Sequence, residues 1–175
     1  MRSVLQPSFG SIKILTKSFG EHKMKILEVL NKEVIVIDLK SNDKKGVLEE
    51  LVTPAARIAG VNHEEVMRVL LERERLDSSG IGGGIGIPHG KLKDLKSLVL
   101  GFGLSRKGVD FESMDGKPTY IFFLLVTPEN STGLHLKLLA RISRILKNDL
   151  FKEKLMKASD SLEILSIIKE EDDRF

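Results

Sequence analysis

"TYIFFLLVTP", Thr119 to Pro128, contains the longest apolar run of the chain, Tyr120 to Val126. A strand with one wet face alternates apolar and polar residues. This run does not, so it predicts a central strand covered on both sides. It is also far shorter than the roughly 20 apolar residues a membrane helix requires, and no other run approaches that length.

The flanks extend the pattern. Before the run lie the polar turn around "MDGKP" and a second apolar segment, Leu98 to Leu104, read as a strand. After it, the "PENSTG" loop leads into Leu134, Leu138, Ile142 and Ile145, a helical spacing. Asp160 and Glu163 open a last helix with Leu162, Ile164, Leu165, Ile167 and Ile168, and the acidic "EEDDRF" end is expected to fray. Upstream, Val34 to Leu39 is β-branched and apolar and reads as a strand. Asn42 or Asp43 then caps a helix carrying Leu48, Leu51, Val52, Ala55, Ala56 and Ile58, with Pro54 expected to kink or break it and Gly60 to end it. Asn62 caps the next helix, with Glu65 in capping-box position and His63 exposed in the first turn. Strand, helices, strands, helices: the fold class is α/β, one domain with a single sheet between helices.

Of 175 residues, 41% are hydrophobic and 30% charged, an ordinary globular composition, and there is no cysteine. Disulfides, thiolate metal sites and a cysteine nucleophile are therefore excluded, and a cytoplasmic location is expected. The net charge of +3 resides entirely in residues 1–23, which hold Arg2, Lys13, Lys17 and Lys23 against Glu21. This segment lacks the uninterrupted apolar core of a secretory signal. It reads as a basic, flexible N-terminal extension to a domain spanning 24–175. That domain is neutral, so net charge gives no support for nucleic-acid binding.

The glycine-rich stretch "SSGIGGGIGIPHGK", residues 78 to 91, matches no nucleotide template. Every G-x-G-x-x-G register ends on Ile85, Ile87 or His89, and Gly90-Lys91 lacks both the upstream glycine and the following Ser or Thr of a P-loop. In an extended chain, Ile85, Ile87 and His89 share one face. Two anchoring isoleucines, with Pro88 stiffening the chain, would hold His89 at a strand end. A working nucleophile and a structural histidine both fit that placement. His135 lies on the stripe of Leu138, Leu139 and Ile142, where a satisfied core histidine is the competing reading. Zinc wants three or four ligands, and the sequence pattern supplies no such set; no metal and no cofactor are expected.

The motif "SSGIGGGIGIPHGK", with "RERLDSSGIG", "MDGKPTYIFFLLVTP" and "TPENSTGLHLKLLARIS", resembles the type-2 enzyme IIA domains of the phosphoenolpyruvate-dependent sugar phosphotransferase system (PTS), the fructose, mannitol and nitrogen-regulatory class. Ser79 replaces the family's usual threonine and Gly86 its usual alanine. The likeness runs from Met24 to about Ile168. It implies a mixed sheet sandwiched between helices, and a phosphoryl carrier. By this resemblance, His89 accepts a phosphoryl group from the histidine phosphocarrier protein HPr as tele-phosphohistidine. It then passes the group to a cysteine of a IIB domain for fructose- or mannitol-type sugar uptake. A regulatory protein whose phosphorylation state controls target proteins is the alternative. His135 matches a second, orienting histidine, and Arg73 an arginine that stabilises charge. Ser79 and the backbone near Gly90 are candidate donors to the phosphoryl oxygens, and Lys137 stands where some relatives have a further histidine. Neither nucleic acid nor membrane insertion is implied.

Overall fold

Tyr120 to Val126 forms the middle of β6 (Thr119–Pro128), and its side chains divide between two cores. Ile121, Phe123 and Leu125 enter one, while Phe122, Leu124 and Val126 enter the other, none more than 3% exposed. The computed structural model describes residues 24–175. The expected flexible extension, residues 1–23, lies outside the described residues.

One six-stranded mixed sheet separates the cores. Its order is β1 (Leu30–Val36), β5 (Val99–Val109), β6, β3 (Ile85–Gly86) and β2 (Gly80–Gly82), with β4 (His89–Leu92) also paired to β6. β5 runs antiparallel to β6, whereas β1 is parallel to β5, and β3 and β4 are parallel to β6. The helices α1 (Lys44–Ala59) and α2 (His63–Leu76) cover one face through Leu48, Leu51, Met67 and Leu70. The other face is covered by α3 (Thr132–Ile145), α4 (Asp149–Lys157) and α5 (Ser161–Asp172), through Leu138, Ile142, Phe151, Leu155 and Ile164. Edge-on aromatic pairs lie in each core, Phe102 with Phe123 at 5.2 Å and Phe111 with Phe122 at 5.0 Å. Each such burial contributes roughly 1.5–3 kcal/mol.

Local chemistry sets the element ends. Asp43, Asn62 and Asp160 cap α1, α2 and α5, their side-chain oxygens accepting from Gly46, Glu65 and Glu163 N–H. Gly60 closes α1 in the left-handed region at φ 64°, returning its N–H to the last turn. Several elements depart from their sequence reading. β1 begins at Leu30, and a register irregularity between Leu30 and Ile35 absorbs the polar "NKE". Leu39 lies past its end but still donates its N–H to Leu104. Pro54 sits inside α1 without ending it, because Leu51, Val52, Ala55 and Ala56 on either side are all buried. The short helix α4 escapes the periodicity, although Asn148 caps it by accepting from Leu150 and Phe151. The acidic end is not frayed through Asp172. That residue is 1% exposed and accepts from Ile26 N–H at 2.7 Å and Arg141 Nε at 2.5 Å.

Candidate active site

β3 and β4 follow the same register along β6, Ile85 opposite Ile121 and His89 opposite Leu125. They are one strand interrupted at Ile87-Pro88, where proline has no N–H to give the ladder. Ile85 and Ile87 are buried toward α3, and His89 follows on their side, half-buried at the strand's resumption. β6 ends four residues before α3 begins, so the first turn of α3 lies over this same end of the sheet. The short Pro128–Ser131 connection thereby brings His135 beside His89, ring centroids 5.5 Å apart and tilted by 55°.

The ring atoms of His89 have defined roles. Nδ1 lies 2.6 Å from the Ile87 carbonyl. A carbonyl only accepts, so Nδ1 carries the proton and Nε2 holds the free lone pair. No protein group among the described residues hydrogen-bonds that Nε2. Burial lowers the His89 pKa below its ordinary 6.5. The Ile87 carbonyl opposes that shift, the Arg73 charge adds to it, and Glu74 opposes it weakly. The ring is neutral and nucleophilic at neutral pH.

His135 is 4% exposed, with Nδ1 2.7 Å from the hydroxyl of Thr127. Burial, then the charges of His89 and Lys91, push its pKa down to about 4, so it is neutral as well. Arg73, in the last turn of α2, donates to the Asp77 carbonyl at 3.0 Å and places a positive charge within electrostatic range of His89. The structure therefore brings His89 and His135 together, with the Arg73 charge acting on His89.

Ser79 is placed differently from expectation. Ser79 is 3% exposed, and both its hydroxyl and its N–H donate to the Glu74 carboxylate. Its proton is committed there rather than offered to a phosphoryl oxygen. Its carbonyl accepts from Ile87 N–H at 3.0 Å, so Ser79 secures the segment that carries His89. Gly90 is buried in β4 beneath α2, and an added Cβ would meet Val69 Cγ1 at 2.7 Å. The visible reason for glycine is this close helix approach. His63 is partly covered, with Nε2 2.9 Å from Glu49.

Three residues of the site, Thr127, Lys91 and Glu74, were not singled out from the sequence. Thr127 lies two places beyond Leu125 on β6, and Lys91 two beyond His89; the i, i+2 rule that aligns His89 with Ile87 reaches both. Lys91 Nζ donates to Thr132 Oγ1 at 2.9 Å, bridging β4 to α3. Glu74 also receives Lys44 Nζ at 2.8 Å, a buried link between α1 and α2 that no local pattern announces. Among the described residues, no three His, Asp or Glu side chains are grouped to hold a metal, and no helix is long and apolar enough to cross a membrane.

Comparison with known proteins decides the family. A family model described as "Phosphoenolpyruvate-dependent sugar phosphotransferase system, EIIA 2" matches residues 28–171. The chain belongs to the type-2 enzyme IIA family of the PTS. This IIA domain is 41% identical over 145 residues to a nitrogen regulatory protein of Bradyrhizobium diazoefficiens, covering 83% of the chain and 95% of that protein. It is 35% identical over 150 residues to a fructose-specific EIIABC component of Bacillus subtilis, covering 85% of the chain but 24% of that longer protein. The crystal structure of nitrogen regulatory protein IIA-Ntr from Neisseria meningitidis matches it with a TM-score of 0.77 at 35% identity, covering 81% of the chain and 97% of that structure. The fold expected from the sequence, a mixed sheet between helices, is that of these IIA proteins.

Proposed function

We propose that this IIA domain is a phosphoryl carrier that holds the group on Nε2 of His89, as tele-phosphohistidine. The observation that carries the reading is the Nδ1 contact with the Ile87 carbonyl, which leaves Nε2 as the nucleophilic nitrogen. The donor is the phosphohistidine of HPr. Its P–N bond breaks as the P–Nε2 bond forms, and its imidazole leaves with the electron pair and takes up a proton from solvent. His89 keeps its Nδ1 proton on Ile87, whose carbonyl stabilises the positive ring that results. Arg73 and His135 supply charge and a donor to the phosphoryl oxygens, which is most of what such a transfer asks of a protein.

Two destinations fit the group. Likeness to nitrogen regulatory proteins from two organisms favours a regulatory role, in which the phosphorylated and free forms bind target proteins differently. Likeness to a fructose-specific component supports the second reading, delivery to a IIB cysteine. The first test is intact-mass measurement after incubation with phosphoenolpyruvate, enzyme I and HPr. Wild type is expected to gain one acid-labile phosphoryl group, and His89→Ala none. A gain that persists in the variant moves the carrier to another residue. Adding a fructose-type IIB domain then separates the roles: loss of the group to IIB supports transport, and retention supports regulation.

A further inference from the structure

Thr127 is 0% exposed, and its hydroxyl has one hydrogen-bonding neighbour among the described residues, Nδ1 of His135 at 2.7 Å. A hydroxyl carries one proton and can donate or accept, and a neutral imidazole nitrogen can be either partner. The surroundings decide the direction. Were Nδ1 the donor, the Thr127 proton would be buried without any acceptor, a substantial penalty for a group sealed from water. With Thr127 donating, Nδ1 accepts and the ring's own hydrogen sits on Nε2, which is not among the sealed polar atoms lacking a partner and can meet solvent or a ligand.

From this we infer that Thr127 is a positioning residue that fixes His135 as its Nε2–H tautomer, so that a phosphoryl group on His89 meets a donor. The two neighbouring rings then carry opposite tautomers. His89 has its proton on Nδ1 and its lone pair on Nε2; His135 has its lone pair on Nδ1 and its proton on Nε2. Each is set by one oxygen, the Ile87 carbonyl for the first and the Thr127 hydroxyl for the second. No protein group among the described residues occupies either Nε2. A nucleophile and a hydrogen-bond donor are thus prepared side by side before any phosphoryl group arrives, which is the arrangement preorganised catalysis needs. With the opposite tautomer, His135 would turn a lone pair toward the phosphoryl oxygens and repel them. The catalytic purpose of this arrangement rests on the carrier reading above; the tautomer itself does not.

The test is two-bond 1H–15N NMR of the histidine rings in the unphosphorylated full chain at neutral pH. The expected result is a bare, acceptor-type Nδ1 and a protonated Nε2 for His135. T127V keeps the shape but removes the hydroxyl, and should move His135 toward the Nδ1–H form; T127S should restore the wild-type pattern. In the mass assay, T127V should shorten the phosphohistidine lifetime on the order of tenfold, the effect of one lost hydrogen bond. A protonated Nδ1 in wild type, or an unchanged tautomer in T127V, overturns the inference. If T127V fails to fold, the wild-type spectrum and T127S still decide it. Because the spectra need no phosphate, failure of phosphorylation at His89 would defeat the carrier reading and leave the tautomer assignment to its own result.

Discussion

His135 is a base held where a positive charge is costly, and its protonation is therefore linked to folding. Its pKa of about 4 lies below the ordinary 6.5. As pH falls below about 6.5, the unfolded chain takes up a proton that the folded one refuses until about pH 4. This site's contribution is intact above that window, declines as the pH drops through it, and levels off below it. The full effect is roughly 3 kcal/mol. Urea midpoints measured between pH 7 and pH 4 should show a steeper loss in wild type than in H135Q, which has no proton to gain. Equal slopes would mean the ring titrates alike in both states. Both histidines could be found as residues from the sequence, but their proximity could not. Nothing in the spacing of 89 and 135 says that the parallel pairing of β4 with β6 places one at the foot of the helix that follows the other. Ser79 shows the converse limit: motif position marked it, and only three-dimensional contact revealed that its hydroxyl belongs to Glu74.

At the scale of elements, the site depends on how closely α2 lies on β4. Gly90 has no room for a methyl group, since its Cβ would stand 2.7 Å from Val69 Cγ1. G90A should therefore destabilise the fold by about 1–3 kcal/mol through overpacking, measured by chemical denaturation, and V69A in the same chain should recover part of the loss. No recovery would place the strain in the strand backbone instead. Elements with a strong local signal were legible in the sequence: β6 by its unbroken apolar run, α2 by its cap, α5 by Asp160 and Glu163. The rest needed tertiary information. α4 is nine residues long, too short for a convincing stripe. Pro54 signals a break locally, and only the burial of its neighbours overrules it.

For the whole molecule, the decisive join is Asp172. It is buried and receives Arg141 from α3 and the backbone N–H of Ile26. Removing the carboxylate in D172A leaves Arg141, whose side chain is 12% exposed, without its counter-charge. The expected loss is about 3–5 kcal/mol in urea denaturation, with D172N milder because it retains an acceptor for Ile26. A loss below 1 kcal/mol would show that water replaces the carboxylate. Composition pointed the other way, since a run of acids at the end of a sequence reads as solvated. The counter-charge, Arg141, lies 31 residues away and the Ile26 N–H donor 146.

The same join brings the two ends of the described fold together. Lys25 Nζ donates to the carbonyls of Asp172 and Phe175, so the first and last described residues of the domain lie side by side. A domain whose two ends lie together in this way tolerates insertion into a longer polypeptide with its sheet unchanged, like a cassette.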